Sequence, residues 1–189
     1  MRQKFVVVLL ACVCALIGSF AASADNAGAP EPTDATADFE QQAQPSLSPQ
    51  KVQRIVNVYR RATWHWQRVM GRRVTLTLRR QTPEPVQRIQ AWKRVATYTR
   101  WLASRPPHLY AWTCIHRYEA AWTDAGAPYY GGLQMDLGFQ RRYGAYLLRN
   151  KGTAERWSPL EQMWVAERAY RAGRGYYPWP NTARACGLL

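Results

Sequence analysis

The chain has 189 residues, 47% of them hydrophobic, enough apolar material to bury a core and to exclude wholesale disorder. Lys and Arg number 26 against 12 Asp and Glu, a net charge of +14; 22 of the 26 are Arg, so the positive surface is nearly independent of pH. Four Cys are too few for a disulfide-dense miniprotein, and no apolar run reaches the ~20 residues of a membrane-spanning helix.

In chain order, Arg2 and Lys4 precede an apolar run of 13 residues, Phe5 to Ile17, and then Ala22-Ser23-Ala24 before Asp25. That three-part pattern predicts a secretory signal peptide over 1–24, cleaved after Ala24. An uncleaved anchor is the alternative, as is a lipoprotein box at Leu9-Leu10-Ala11-Cys12, which would leave a very short apolar region. Cleavage removes Cys12 and Cys14 and leaves Cys114 and Cys186. In an oxidising compartment these two are expected to pair; two free buried thiols are the alternative. Export also argues against nucleic acid as the partner that the charge alone would suggest.

Residues 25–50 hold five acids (Asp25, Glu31, Asp34, Asp38, Glu40), no Lys or Arg and four Pro, the composition of a disordered acidic linker. Residues 51–113 reverse the sign, with 14 basic residues against Glu84 alone. Val52, Ile55, Val56, Tyr59, Thr63, Trp66 and Met70 fall at helical spacing, as do Ile89, Trp92, Val95, Thr99 and Leu102 after a cap at Thr82-Pro83. The pattern predicts a basic helical hairpin over 51–105, its outer Arg faces either simply solvated or an electrostatic patch for an anionic polymer. Val74 to Leu78 alternates like a strand, which leaves the connection open.

Over 106–189, a helix is expected from Pro106-Pro107 to Glu119, then a Gly- and Tyr-rich hairpin or loop from Ala125 to Gln134. Asp136 is read as the cap of a helix reaching Asn150. Ser158-Pro159-Leu160-Glu161 is a capping box that opens a helix to about Ala172. Irregular chain from Gly173 to Pro180 leads to Cys186.

His65, His108 and His116 show no metal-ligand spacing, and no nucleotide or nucleophile motif is present, so no metal or cofactor is expected. His116, one turn before Glu119, can reach it. Carboxylates are the remaining catalytic class. Glu161 and Asp136 have capping roles, Glu84 and Glu155 read as solvated, and Glu167 lies in an apolar stripe where an Arg partner is expected. Glu119 ends an apolar helix among Tyr118, Ala120, Ala121 and Trp122. Apolar neighbours favour the protonated carboxyl form, and such an acid can protonate a glycosidic oxygen. A helix-terminal Glu paired with Arg is the plainer reading.

Residues 112–135, WTCIHRYEAAWTDAGAPYYGGLQM, resemble the active-site segment of the resuscitation-promoting-factor and transglycosylase-like proteins of actinobacteria. Glu119 falls on that family's catalytic Glu and Tyr130-Gly131-Gly132-Leu133-Gln134 on its aromatic-Gly-Gly-Leu-Gln element. Val165-Ala166-Glu167-Arg168 resembles its final helix, and Tyr177-Pro178-Trp179-Pro180 with Cys186 resembles its closing Trp-Pro and Cys, with Cys114 as the partner Cys. The resemblance covers 112–189. It departs where the family often has Ser-Gly-Gly after its Glu and this chain has Ala120-Ala121, which puts catalytic efficiency in doubt more than fold.

The resemblance implies a mainly α, small α+β lysozyme-like domain over 106–189. It also implies a secreted, wall-associated enzyme that cleaves the β-1,4 bond between N-acetylmuramic acid and N-acetylglucosamine in peptidoglycan, with Glu119 as acid and base. Gln134, Tyr129, Tyr130, Gly132, Trp122 and Trp179 are then the candidate sugar contacts, and Asp124 or Asp136 the candidate second carboxylate of a hydrolase. A lytic transglycosylase, which closes a 1,6-anhydro ring, needs none. The expected partners are glycan strands and, through 51–105, anionic wall polymers, with the chain a monomer. A non-catalytic wall-binding or signalling protein on the same fold is the alternative.

Overall fold

The computed structural model describes residues 47–78 and 83–189, and Ala43–Leu189 forms one compact unit. The segment expected to be a signal peptide, nearly all of the expected acidic linker and Thr82 lie outside the described residues. Those described are mainly helical: α1 (Pro49–Val69), α2 (Pro85–Ala103), α3 (Leu109–Glu119), α4 (Leu137–Tyr143), α5 (Ala145–Lys151), α6 (Pro159–Ala169) and α7 (Pro180–Ala185). The only strands among them, β1 (Tyr129–Tyr130) and β2 (Met135–Asp136), pair antiparallel with Tyr129 opposite Asp136 and Tyr130 opposite Met135.

The basic helices form a pair but not a hairpin. Val52 and Val56, early in α1, pack with Ile89 and Trp92, early in α2. Val69 and Met70, at the far end of α1, share a core with Leu102 and Ala103 at the far end of α2. The helices therefore run in the same direction, and the connection must travel back along their length. Val74 to Leu78 lies on that return path and is not a strand. Among the described residues no strand pairs with it; α1 side chains take up the Thr75 backbone groups. The Trp64 indole N–H donates to the Thr75 carbonyl at 2.6 Å, and Gln67 Oε1 accepts from the Thr75 N–H at 2.8 Å. Leu78 packs beside Val52 and Val56. The connection thus leans on α1 through the Thr75 backbone groups and Leu78, while Leu76 between them stays exposed.

The C-terminal ends of α1 and α2 enter the main core with Trp112, Ile115, Trp164 and Trp179. Two of the carbonyls that a helix end leaves unpaired are met there. Trp164 Nε1 donates to the Ala103 carbonyl at 2.7 Å, and the Arg171 guanidinium to that of Met70 at 2.8 Å. Residues before and after position 105 therefore share one core.

Other element ends differ from the sequence expectation for local reasons. α2 starts at Pro85, with Glu84 as its cap residue. α3 starts at Leu109, because the capping position belongs to His108, whose backbone N–H donates to Glu167. Asp136 caps as expected, accepting from the Phe139 N–H at 2.7 Å, but the helix breaks at Gly144. A Cβ there would lie 2.6 Å from the Trp157 ring, so the helix bends around a buried indole. The Ser158–Glu161 capping box is present, and α6 ends at Ala169, before a wide turn over 170–174.

Two buried carboxylates tie these parts together. Glu167 is fully buried and, among the described residues, has no Arg partner for its carboxylate. It accepts from the His108 N–H at 2.7 Å and from Trp112 Nε1 at 2.8 Å, with His108 Nδ1 at 3.0 Å. The unpaired amides at the start of α3 draw this carboxylate, with the indole as a further donor. Burial also pushes the nearby Tyr176 phenol up to about 12, Tyr170 and Glu167 adding to the effect.

Glu161 does more than cap α6. Its carboxylate takes Lys151 Nζ at 2.7 Å and the Ser158 N–H at 2.7 Å, with His65 Nε2 at 2.9 Å, so it joins α1, α5 and α6. Burial alone would push this carboxyl up. The hydrogen bonds from His65, Lys151 and Ser158, with the Lys151 charge, outweigh it and bring the group from 4.5 to about 2. A carboxyl held low when folded adds stability above its unfolded value and loses it as pH falls through the folded one. The stability gap between wild type and Glu161→Gln is therefore expected to be constant above about pH 5 and to shrink steadily from pH 4.5 toward 2. Urea unfolding of both proteins across that range checks this; a gap that stays constant down to pH 2 would refute it.

Candidate active site

Glu119 closes α3, whose inner face carries Trp112 and Ile115, both 0% exposed. The chain then leaves the helix at Ala120 in an extended conformation. α3 is fastened to α7 by the Cys114–Cys186 disulfide, with Cα atoms 6.0 Å apart. The start of α7 is anchored as well. Trp179 is 4% exposed, its indole N–H donates to the Leu133 carbonyl at 2.6 Å, and its ring meets Trp112 edge-on at 5.2 Å.

Between these anchors, Thr182 Oγ1 donates to Glu119 Oε1 at 2.7 Å. Both residues are half-buried. Among the described residues no ion pair reaches Glu119, and the His116–Glu119 contact that the spacing allowed is not made. His116 Nδ1 instead lies 3.2 Å from the Gly132 carbonyl, and its ring stacks on Trp122 at 3.9 Å.

The segment after Glu119 is organised by Asp124. The Asp124 carbonyl accepts from the Gly131 N–H at 2.7 Å, and its side chain accepts from Gln134 Nε2 at 2.7 Å. The Gln134 amide also donates to the Gly131 carbonyl at 2.9 Å, with its own backbone at φ +46°. Gly132 is buried beside the His116–Trp122 stack. A Cβ there would sit 2.6 Å from His116 Nδ1 and 2.7 Å from the Trp122 ring, so only glycine lets the loop close this tightly.

The candidate residues therefore separate. Glu119 is held at a helix end by a hydroxyl donor. Tyr129 is 50% exposed and Tyr118, beside Glu119, is 59% exposed, so both rings are open to a ligand. Trp122 and Tyr130 are half-buried and pack on the core. Trp179 is a core residue and not a cleft wall, because its indole anchors α7. Gly132 is a packing position, not a surface contact. The Gln134 amide is engaged within the loop. Asp124 and Asp136 spend their carboxylates on their own segments, one on the loop and one on the α4 cap.

Thr182 was not legible in the sequence. It lies in a short helix 63 residues from Glu119, and only its spacing of four from Cys186 hints that it faces α3. Among the described residues no group of three His, Cys, Asp or Glu could hold a metal ion. A cavity of about 200 Å³ lies elsewhere, between α1 and α2, lined by Gln67, Met70, Val95 and Thr99 among others. No family model, curated protein or solved structure matches the chain.

Proposed function

We propose that the protein is a secreted, lysozyme-like, peptidoglycan-cleaving glycosidase with Glu119 as its general acid and base. The observation that best supports this reading is the half-buried Glu119 carboxyl, held by Thr182 on a disulfide-fastened frame and followed, after the loop that Asp124 organises, by the Tyr129–Tyr130 hairpin. Glu119 protonates the glycosidic oxygen between N-acetylmuramic acid and N-acetylglucosamine as the C–O bond breaks through an oxocarbenium-like state. The bond's electron pair stays with the leaving oxygen. The Glu119 carboxylate then takes the proton of the attacking hydroxyl. If that hydroxyl is the muramic 6-OH, the product is a 1,6-anhydro sugar; if it is water, the product is a reducing end. The commitments of Asp124 and Asp136 favour the first route, which needs no second carboxylate. Digestion of purified peptidoglycan by wild type and Glu119→Gln, read by mass spectrometry, tests this.

A non-catalytic wall-binding protein on the same frame is the second reading. It is favoured by Ala120-Ala121, which offer the Glu no hydroxyl from its own turn, and by the engaged Gln134 amide. Binding that survives Glu119→Gln with no product from either protein would select it.

Export through residues 1–24 belongs to the same proposal, and the basic helix pair would then hold anionic wall polymers. α2 carries Lys93, Arg94, Arg100 and, just beyond it, Arg105 on its exposed surface, beside Tyr98 at 60% and Trp101 at 49% exposure. Because 106–189 shares its core with Val69, Met70 and Ala103, the test needs the full chain. Lys93→Glu/Arg94→Glu is expected to release from cell walls at a clearly lower salt concentration than wild type, since screening weakens exposed charges. Identical salt elution of the two proteins would rule the patch out.

A further inference from the structure

Nothing within α3 or the turn after it hydrogen-bonds the Glu119 side chain, although Ala120 and Ala121 stand where a hydroxyl could have done so. The donor comes from the other end of the domain. Thr182 is in the first turn of α7, and both ends of that helix are pinned, by the buried Trp179 indole on the Leu133 carbonyl and by the Cys186–Cys114 bond. Its hydroxyl has one hydrogen and two acceptors within reach. The Glu119 carboxylate at 2.7 Å is the closer and the charged one, and the Trp179 carbonyl at 3.4 Å is the weaker alternative.

We propose that Thr182 is the positioning residue of Glu119. Its hydroxyl occupies Oε1, so that the proton which Glu119 delivers and later recovers resides on Oε2. This inference rests on the reading of Glu119 as an acid and base, and its chemistry is simple. A carboxyl group with both oxygens free can carry its proton on either, and only one orientation points at a bound glycosidic oxygen. A donor fixed on Oε1 removes the wrong orientation. It also stabilises the carboxylate left after proton delivery, the state that must act as base. Before delivery, with Oε2 protonated, the same donor still finds lone pairs on Oε1, so one hydrogen bond serves both halves of the reaction.

The charged or titratable groups nearest in the chain are His116, Arg117 and Tyr118 on α3, Asp124 in the following loop and Arg184 on α7. Among the described residues none of them hydrogen-bonds to Glu119. Thr182 is thus the one side chain seen to distinguish the two carboxyl oxygens.

The test compares Thr182→Val, which keeps the shape and removes the hydroxyl, with Thr182→Ser, which keeps the hydroxyl. Loss of one hydrogen bond to a charged group is expected to lower kcat about ten- to a hundredfold with little change in KM. Removal of a donor to the carboxylate favours the protonated form, so the alkaline limb of the activity profile should move up relative to wild type. Thr182→Ser should restore both. A Val variant with the wild-type limb and rate overturns the proposal. So does equal loss in Val and Ser variants with an unmoved limb, which would make Thr182 a packing residue.

If wild type cleaves nothing, the functional reading fails but this one remains testable. Carbon-13 NMR of the Glu119 carboxyl then follows its titration directly. A higher midpoint in Thr182→Val than in wild type and Thr182→Ser supports the assignment, and coincident midpoints overturn it.

Discussion

Glu119→Gln is expected to lower peptidoglycan cleavage by roughly 10³-fold, within the 10²- to 10⁴-fold range of a positioned general acid. Gln keeps the shape and can still accept from Thr182, so the fold and glycan binding should persist. The chemistry should not, because an amide has no proton to give at neutral pH and is no base afterwards. Mass spectrometry of the wild-type products separates two reactions. Anhydro-muropeptides indicate ring closure by the muramic 6-hydroxyl. Products one water heavier indicate hydrolysis, for which Asp124 would have to leave Gln134 or Asp136 leave the α4 cap. Wild-type activity retained in Glu119→Gln would remove the proposed mechanism altogether.

Reduction of Cys114–Cys186 is expected to be the most destabilising single change. The bond closes 72 residues of chain, which in the loop-entropy account is worth about 4 kcal/mol. A domain of this size holds only ~5–15 kcal/mol in total, so the loss should lower Tm by roughly 10 °C. Thermal unfolding with and without reductant measures this, with Cys114→Ala/Cys186→Ala as the control for reagent effects. A shift under 2 °C would mean that Trp179 and the core alone hold α7. The same experiment bears on the site, because the disulfide fastens the helix that carries Thr182. Where α7 loosens, activity should fall at temperatures below the unfolding transition.

Local signals in this chain proved accurate where a few neighbouring residues decide the outcome. The Ser158–Glu161 capping box and the Asp136 cap need only three-residue spacing, and both are present. The helical apolar stripes before and after residue 80 correspond to α1 and α2. The pairing of Cys114 with Cys186 was expected from reading the segment with the other two Cys as a signal peptide, and the structure contains that bond. Direction was the failure. A periodic stripe shows which face of a helix is buried and says nothing about which way the next helix runs. The parallel arrangement of α1 and α2 depends on the return path, which contacts with α1 at Thr75 and Leu78 decide.

The site divides in the same way. Residue type and order alone marked Glu119 as the end of an apolar helix and placed a Gly-rich aromatic turn after it, because helix periodicity and glycine content are properties of adjacent residues. Tertiary structure decided which partners these residues have. Glu167 looked as if it needed an Arg and found the N-terminus of α3 with the Trp112 indole, since the His108 amide 59 residues away and the indole N–H 55 residues away became its donors. Trp179 looked like a sugar platform and became a core anchor. Thr182 looked like nothing and became the hydrogen-bond partner of Glu119. Burial and long-range hydrogen bonding arise only when distant segments meet, and that meeting sets the roles these three side chains play.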